Sequence, residues 1–263
     1  MYFLGIDIGS LSCDAVVLDP NKTLLSHAVI PTGVRNIESI AKVKAMVLDQ
    51  AGIREDQIQG LISTGYGRAR VEGRTGAVTE ITCHAKGISH LFPGTRVLID
   101  IGGQDSKAVC LDANGNVADF AMNDKCAAGT GRFLEAMARV LEVEINDLGD
   151  LDRGAETDLV LSSMCTVFAE SEVVSLIANG TEQREIARGL NRAIAARTSA
   201  LVKRVAKSVP RDTIAMSGGV ARNTGVVRAI AEALEVETLH TPEEPDIVGA
   251  LGAALIALDR ASK

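Results

Sequence analysis

The chain has 263 residues, 46% of them hydrophobic, and a net charge of −7. That length can bury a large core, as one big domain or two modest ones, while the acidic balance, 3% aromatics and absence of tryptophan argue against nucleic acid as a partner. The N-terminus lacks the basic segment and cleavage site of a signal peptide, and the longest apolar run, Ile247 to Leu258, is short and Gly-broken, so no membrane span and a cytosolic location are expected.

Met1 to Ser10 reads as a buried strand ending in Asp7-Ile8-Gly9-Ser10. Asp14 to Asp19 and Leu24 to Ile30 follow as strands around the turn Asp19-Pro20-Asn21-Lys22. Asn36 to Ala51 has Ile37, Ile40, Val43, Val47 and Leu48 at helical spacing. Gly60 to Ser63 is a strand leading into the loop Thr64-Gly65-Tyr66-Gly67-Arg68, and Glu80 to Leu91 is a helix that Pro93-Gly94 breaks. The theme then repeats: the strand Arg96 to Ile101 ends in Asp100-Ile101-Gly102-Gly103, and strands Ser106 to Leu111 and Val117 to Met122 flank a turn. Strand, Asp-Ile-Gly, hairpin and helix thus occur twice, an internal duplication.

A helix is expected through Phe133 to Leu141, opened by Gly129-Thr130-Gly131. Leu159 to Ser163 reads as extended, and Thr166 to Ala178 as a helix with Val167, Val174 and Ile177 spaced for burial. Thr181 is placed as the cap of a long helix carrying Ile186, Leu190, Ile194, Leu201 and Val205 on one stripe. Asp212 to Met216 is a strand running into Ser217-Gly218-Gly219, a helix spans Asn223 to Leu234, a strand lies around Val236 to Leu239, and a last helix covers Ile247 to Leu258. The expected architecture is α/β, in two lobes: 1–94 plus 245–263, and 95–244.

Each Asp-Ile-Gly turn brings backbone N–H groups close to where a phosphate would lie and sets an Asp where it can hold Mg²⁺ or orient water. Either turn alone is an ordinary strand end. As a pair, with Ser217-Gly218-Gly219 to lie against a flat ring such as adenine, they favour a nucleotide clamp. The five cysteines (13, 83, 110, 126 and 165) include no C-x-x-C pair. Cys126 and Cys165 each follow an extended stretch and precede a helix, a setting that lowers thiol pKa and suits an anionic iron–sulfur cluster. Two thiolates per chain would need a two-fold dimer to complete four ligands. Two inert buried thiols fit the same spacing, so both readings stay open. Cys83-His84 is adjacent on a helix, which points the side chains apart, and His27, His90 and His240 stand in unremarkable contexts.

Four stretches resemble one family from end to end of the chain: Asn123-Asp124-Lys125-Cys126-Ala127-Ala128-Gly129-Thr130-Gly131-Arg132-Phe133-Leu134-Glu135, Asp100 to Lys107, Ser63 to Arg68, and Cys165 to Glu172. The resemblance is to the ATP-dependent activators of 2-hydroxyacyl-CoA dehydratases, which share a wider family with the ATP-binding subunits of benzoyl-CoA reductase. It implies two duplicated lobes of the actin-like ATPase (ribonuclease H-like) type, with ATP or ADP and Mg²⁺ in a cleft between them. It implies a homodimer that holds one 4Fe–4S cluster on Cys126 and Cys165 of each chain. It maps Asp7, Gly9 and Ser10 to the first phosphate turn; Asp100, Gly102, Gly103, Gln104 and Asp105 to the second, with Asp7, Asp100, Gln104 and Asp105 in catalytic roles; Gly129, Thr130 and Gly131 to a nucleotide-linked loop; and Gly218 and Gly219 to the adenosine loop. Where many relatives carry Lys after the first turn, this chain has Asp14.

The implied activity is ATP-driven transfer of one electron, received from a ferredoxin or flavodoxin, to an iron–sulfur dehydratase or a benzoyl-CoA-type reductase. A small-metabolite kinase on the same fold and a nucleotide-dependent scaffold are the rival readings.

Overall fold

The computed structural model describes residues 1–157, 159–161, 165–207 and 213–262. They fall into two compact units, Met1–Arg96 with Leu111–Ala118 and Pro242–Lys263, and Val97–Cys110 with Asp119–Thr241.

The first unit is built on β1 (Tyr2–Ile8), β2 (Ser12–Leu18), β3 (Leu24–Pro31), β4 (Ile58–Gly65) and β5 (Gly76–Ala77), in sheet order β3-β2-β1-β4-β5. β1 pairs antiparallel with β2 and parallel with β4. Six of the seven residues of β1 are buried, because helices cover the central strand and an unbroken apolar run suits that position. Helix α1 (Asn36–Ala51) buries Ile40, Val43, Val47 and Leu48, while Ile37 is exposed in its first turn. Helices α2 (Glu80–Leu91) and α8 (Val248–Ala261) pack through close approach of small residues. A Cβ at Gly252 would stand 1.7 Å from the Cys83 carbonyl oxygen, so α8 reaches α2 only because that side chain is missing.

The second unit carries β6 (Val97–Ile101), β9 (Ile214–Ser217) and most of β7 (Ser106–Leu111) and β8 (Val117–Asn123), in order β8-β7-β6-β9. β6 pairs antiparallel with β7 and parallel with β9, which repeats the relations of β1 to β2 and β4. Helices α3 (Gly131–Val140), α4 (Leu148–Leu151), α5 (Thr166–Ala178), α6 (Gln183–Val205) and α7 (Thr224–Ala233) complete it. Ile186, Leu190, Ile194 and Leu201 of α6 are buried as their spacing predicts.

Several local expectations are corrected. Thr181 does not cap α6: its amide donates to the Leu176 carbonyl, and with Gly180 it closes the end of α5, leaving Glu182 at the N-cap. No strand forms at Val236 to Leu239; a single bridge joins Ala215 to His240, and Pro242 lacks the amide to extend it. Val167, Val174 and Ile177 of α5 are exposed, since the inward positions of that helix belong to Ala169 and Val173. Leu159 to Leu161 form no strand, and Ser162, Ser163 and Asp212 lie outside the described residues. Among the described residues no helix is long and apolar enough to cross a membrane.

Candidate functional site

The first turn begins where β1 ends. The Gly9 amide donates to the Ser12 carbonyl (2.9 Å), and the Thr32 hydroxyl donates to the Gly9 carbonyl (2.9 Å), which pins the turn to the end of β3. Gly9 and Ser10 are half-buried, and Asp7 is buried. Asp7 lies in register with Asp14 on β2 and Thr64 on β4. Gly65, at φ +81°, closes over it: a Cβ there would stand 2.4 Å from both Asp7 Oδ1 and the Ile8 carbonyl oxygen. From α2, His84 Nε2 stands 3.4 Å from Asp7 Oδ2.

The second turn repeats the backbone closure and the covering glycine. The Gly102 amide donates to the Asp105 carbonyl (3.0 Å). Asp100 lies in register with Lys107 on β7 and Ser217 on β9. Gly218, at φ +82°, closes over it as Gly65 does over Asp7: a Cβ would stand 2.4 Å from the Ile101 carbonyl oxygen and 2.8 Å from Asp100 Oδ1. Gly219 follows in a 3-10 turn. The Ser217 hydroxyl donates to Asp100 Oδ1 (2.9 Å). Buried Lys107 donates to Asp105 Oδ1 (2.7 Å) and Asp100 Oδ2 (3.3 Å). Gln104 is exposed on the turn, and Gly102 and Gly103 are half-buried. Each turn therefore offers a fixed carboxylate beside a glycine backbone, an arrangement suited to a metal-bound phosphate.

The loop at 129–131 is tied to the second turn through its backbone. The Gly131 amide donates to the Gly102 carbonyl (2.9 Å), the Arg132 amide to the Gly103 carbonyl (3.0 Å), and the Thr130 amide to the Ala127 carbonyl (3.0 Å). The Ser106 hydroxyl donates to the Gly129 carbonyl (3.3 Å). The amides of Gly131 and Arg132 thus hold the loop against the turn, and the Thr130 amide closes the loop on itself.

Cys126 and Cys165 are both exposed, whereas Cys13 and Cys83 are buried and Cys110 is intermediate. Burial, then the nearby Asp14 and Asp7 charges, push the Cys13 thiol up to about 12. Burial also raises Cys83 to about 12. Cys165 is the N-cap residue of α5. Cys126 departs from the expected setting: it lies in the loop before α3, which starts at Gly131, so Cys165 alone of the two stands at a helix start. The chain leading toward Cys165 is anchored on α6 by Glu185, whose carboxylate accepts from the amides of Glu156 (3.0 Å) and Thr157 (2.9 Å). Hydrogen bonds from the Thr157 side chain and these amides hold that carboxyl below the usual range. Among the described residues no single-chain group of three or more His, Cys, Asp or Glu side chains gathers in a way that could hold a metal.

Two residues of these turns escape sequence reasoning. Lys107 sits inside a quoted motif without a role, and His84 was read only against Cys83. For Lys107 a signal exists. It follows Asp100 by the seven residues that separate Asp14 from Asp7, so aligning the two repeats sets them opposite the same carboxylate. His84 has no such signal, because its contact with Asp7 comes from a separate helix.

The comparisons agree with this geometry. Residues 4–257 match the BadF/BadG/BcrA/BcrD ATPase family. The activator of lactoyl-CoA dehydratase from Anaerotignum propionicum is 44% identical over the whole of both chains. The (R)-2-hydroxyglutaryl-CoA dehydratase activating ATPase of Acidaminococcus fermentans is 40% identical over 100% of this chain and 99% of its own. The structure of the 2-hydroxyisocaproyl-CoA dehydratase activator from Clostridium difficile, with bound ADPNP, superposes with a TM-score of 0.93 at 40% identity, covering 100% of this chain and 96% of the other. The fold is that of the actin-like ATPases. With its duplicated turns and a match along nearly its whole length, the chain belongs to the BadF/BadG/BcrA/BcrD ATPase family.

Proposed function

We propose that this chain is an ATPase that works as a homodimer and drives single electrons into an iron–sulfur dehydratase acting on 2-hydroxyacyl-CoA substrates. A ferredoxin or flavodoxin is the electron source. The observation that carries the reading is the pair of hydrogen bonds from the first amides of α3 to the carbonyls of Gly102 and Gly103. They join the second phosphate turn to the segment that bears Cys126, so a shift of one is felt at the other. The names of the relatives supply the partner: three of them are dehydratase activators.

In this reading Asp7, Gly9 and Ser10 form one phosphate turn, and Asp100, Gly102, Gly103, Gln104 and Asp105 form a second; each is suited to phosphate and Mg²⁺. Lys107 and Ser217 keep Asp100 and Asp105 fixed, and Gln104, exposed on the turn, orients the attacking water. Gly218 and Gly219 let the backbone lie against the adenosine.

The donor set fits a 4Fe–4S cluster shared by two chains. The two exposed cysteines are those the cluster would use, and four thiolates need a second copy. α5, which starts at Cys165, also turns Val167 (66% exposed) and Phe168 (68%) outward, an apolar surface suited to a subunit interface. Bound there, the cluster supplies one-electron redox chemistry.

Anaerobic purification tests the proposal. The protein should be brown, run as a dimer and carry about four irons per two chains, and its ATP hydrolysis should rise when a reduced 2-hydroxyacyl-CoA dehydratase is added. A colourless monomer with steady ATP turnover would refute it.

The link between turn and cysteine has its own test. Gly129 is buried at φ +93°, where a branched side chain costs about 1–3 kcal/mol. In metal-free wild type, ATP should change the alkylation rate of Cys126 by about fivefold or more, read by mass spectrometry of its peptide. Gly129→Val should still bind ATP and show no such change. A nucleotide response that persists in the variant would mean the two are not linked through this loop.

A further inference from the structure

The two turns share their amide-to-carbonyl closure and their covering glycine, and they differ in what faces the carboxylate. Opposite Asp100, the antiparallel strand carries Lys107, whose Nζ stands 3.3 Å from Asp100 Oδ2. Opposite Asp7, the antiparallel strand carries Asp14. Residues directly opposite on antiparallel strands share a face, and like charges there are unfavourable. Both carboxylates are buried. Ser12 donates its hydroxyl to Asp14 Oδ2 (3.0 Å), but a hydroxyl does not do for Asp7 what a buried ammonium does for Asp100.

A nitrogen donor reaches Asp7 from elsewhere. His84, buried on α2, sets Nε2 3.4 Å from Asp7 Oδ2. The space around this contact is shaped for it. A Cβ at Gly249 of α8 would stand 2.0 Å from Asp7 Oδ2 and 2.6 Å from His84 Nε2. A Cβ at Gly65 would stand 2.4 Å from the other oxygen, Asp7 Oδ1. The carboxylate is therefore walled by two glycines and met by one imidazole.

We infer that His84 is the positioning residue of the first phosphate turn, and that it supplies from a helix the nitrogen donor that Lys107 supplies from a strand at the second. His84 touches neither phosphate nor metal: it fixes the orientation of Asp7, whose carboxylate does. The inference rests on the proposed reading of the first turn as a phosphate site.

Steady-state hydrolysis of Mg·ATP by the iron-loaded dimer tests it, with ATP affinity measured in parallel. Asp7→Asn should abolish turnover. His84→Ala should lower kcat by about 10- to 100-fold while the Kd for ATP stays within about threefold. His84→Gln, which keeps an N–H of similar reach, should recover most of the loss. His84→Ala combined with Asp14→Lys should recover turnover too, because it rebuilds at Asp7 the strand-borne donor of the second turn. Full activity in Asp7→Asn would remove the phosphate-site reading itself, and this inference with it. Loss in Asp7→Asn with His84→Ala close to wild type would overturn the inference alone. Equal losses in His84→Ala and His84→Gln, with ATP affinity falling in step and no recovery in the double variant, would mark His84 as a packing residue and overturn it as well.

Discussion

Lys107→Met is expected to cost the protein about 3–5 kcal/mol of stability, because it strands two buried carboxylates without their shared ammonium. Lys107, Asp100 and Asp105 are each at most 5% exposed, and Lys107 is within 3.3 Å of both partners. Methionine fills much of the same volume, so the loss comes from charge left unpaired and little from a cavity. ATP turnover should fall about a hundredfold or more, since a carboxylate that has lost its anchor is no longer preorganised. Denaturant unfolding and ATPase assays would separate the two effects. Adding Asp105→Asn to Lys107→Met removes one of the stranded charges. It should return much of the stability and none of the activity, if Asp105 acts on the metal or the water. Recovery of both would make the network purely structural.

The contrast between Lys107 and His84 shows what the residues disclose before folding. The duplicated Asp-Ile-Gly turns were visible because each is a local pattern, an apolar strand running into glycine. Their equivalence extends to Gly65, at the end of β4, and Gly218, just after β9, which become equivalent only once β4 and β9 lie beside β1 and β6. Contacts that join separate helices and strands, such as His84 with Asp7, leave no periodic trace. Helix α5 shows a different limit. Helical spacing marks Val167, Val174 and Ile177 as one apolar set, yet spacing alone does not say whether such a face meets a core or another chain. In the fold the core side is held by Ala169 and Val173, and the larger apolar residues face outward. The same limit applies to the cysteines: a thiol at a helix start and a thiol beneath a sheet read alike until burial is known.

Burial makes the cysteines separable by experiment. Cys126→Ser and Cys165→Ser should each lose nearly all bound iron, whereas Cys83→Ser should keep it. The reason lies in ionisation. A thiol raised to about 12, as Cys13 and Cys83 are, has about one thiolate in ten thousand at pH 8, and burial withholds it from a cluster. Cys165 is exposed at the start of α5, where the helix dipole favours the negative charge of a cluster. Cys126 lies away from a helix start, and its loop is held instead by the bonds of the 131 and 132 amides to the second turn. The two proposed ligands are thus unequal: one stands at a helix start and the other on a loop tied to the second turn. Cys126→Ser should leave the dimer intact, because the apolar face starting at Val167 and Phe168 remains. Phe168→Glu should break the dimer with both thiols still present, and lose the iron with it. Iron and colour surviving in both cysteine variants would remove the cluster from these residues. A monomeric Phe168→Glu protein that keeps its iron would remove it from the interface between chains.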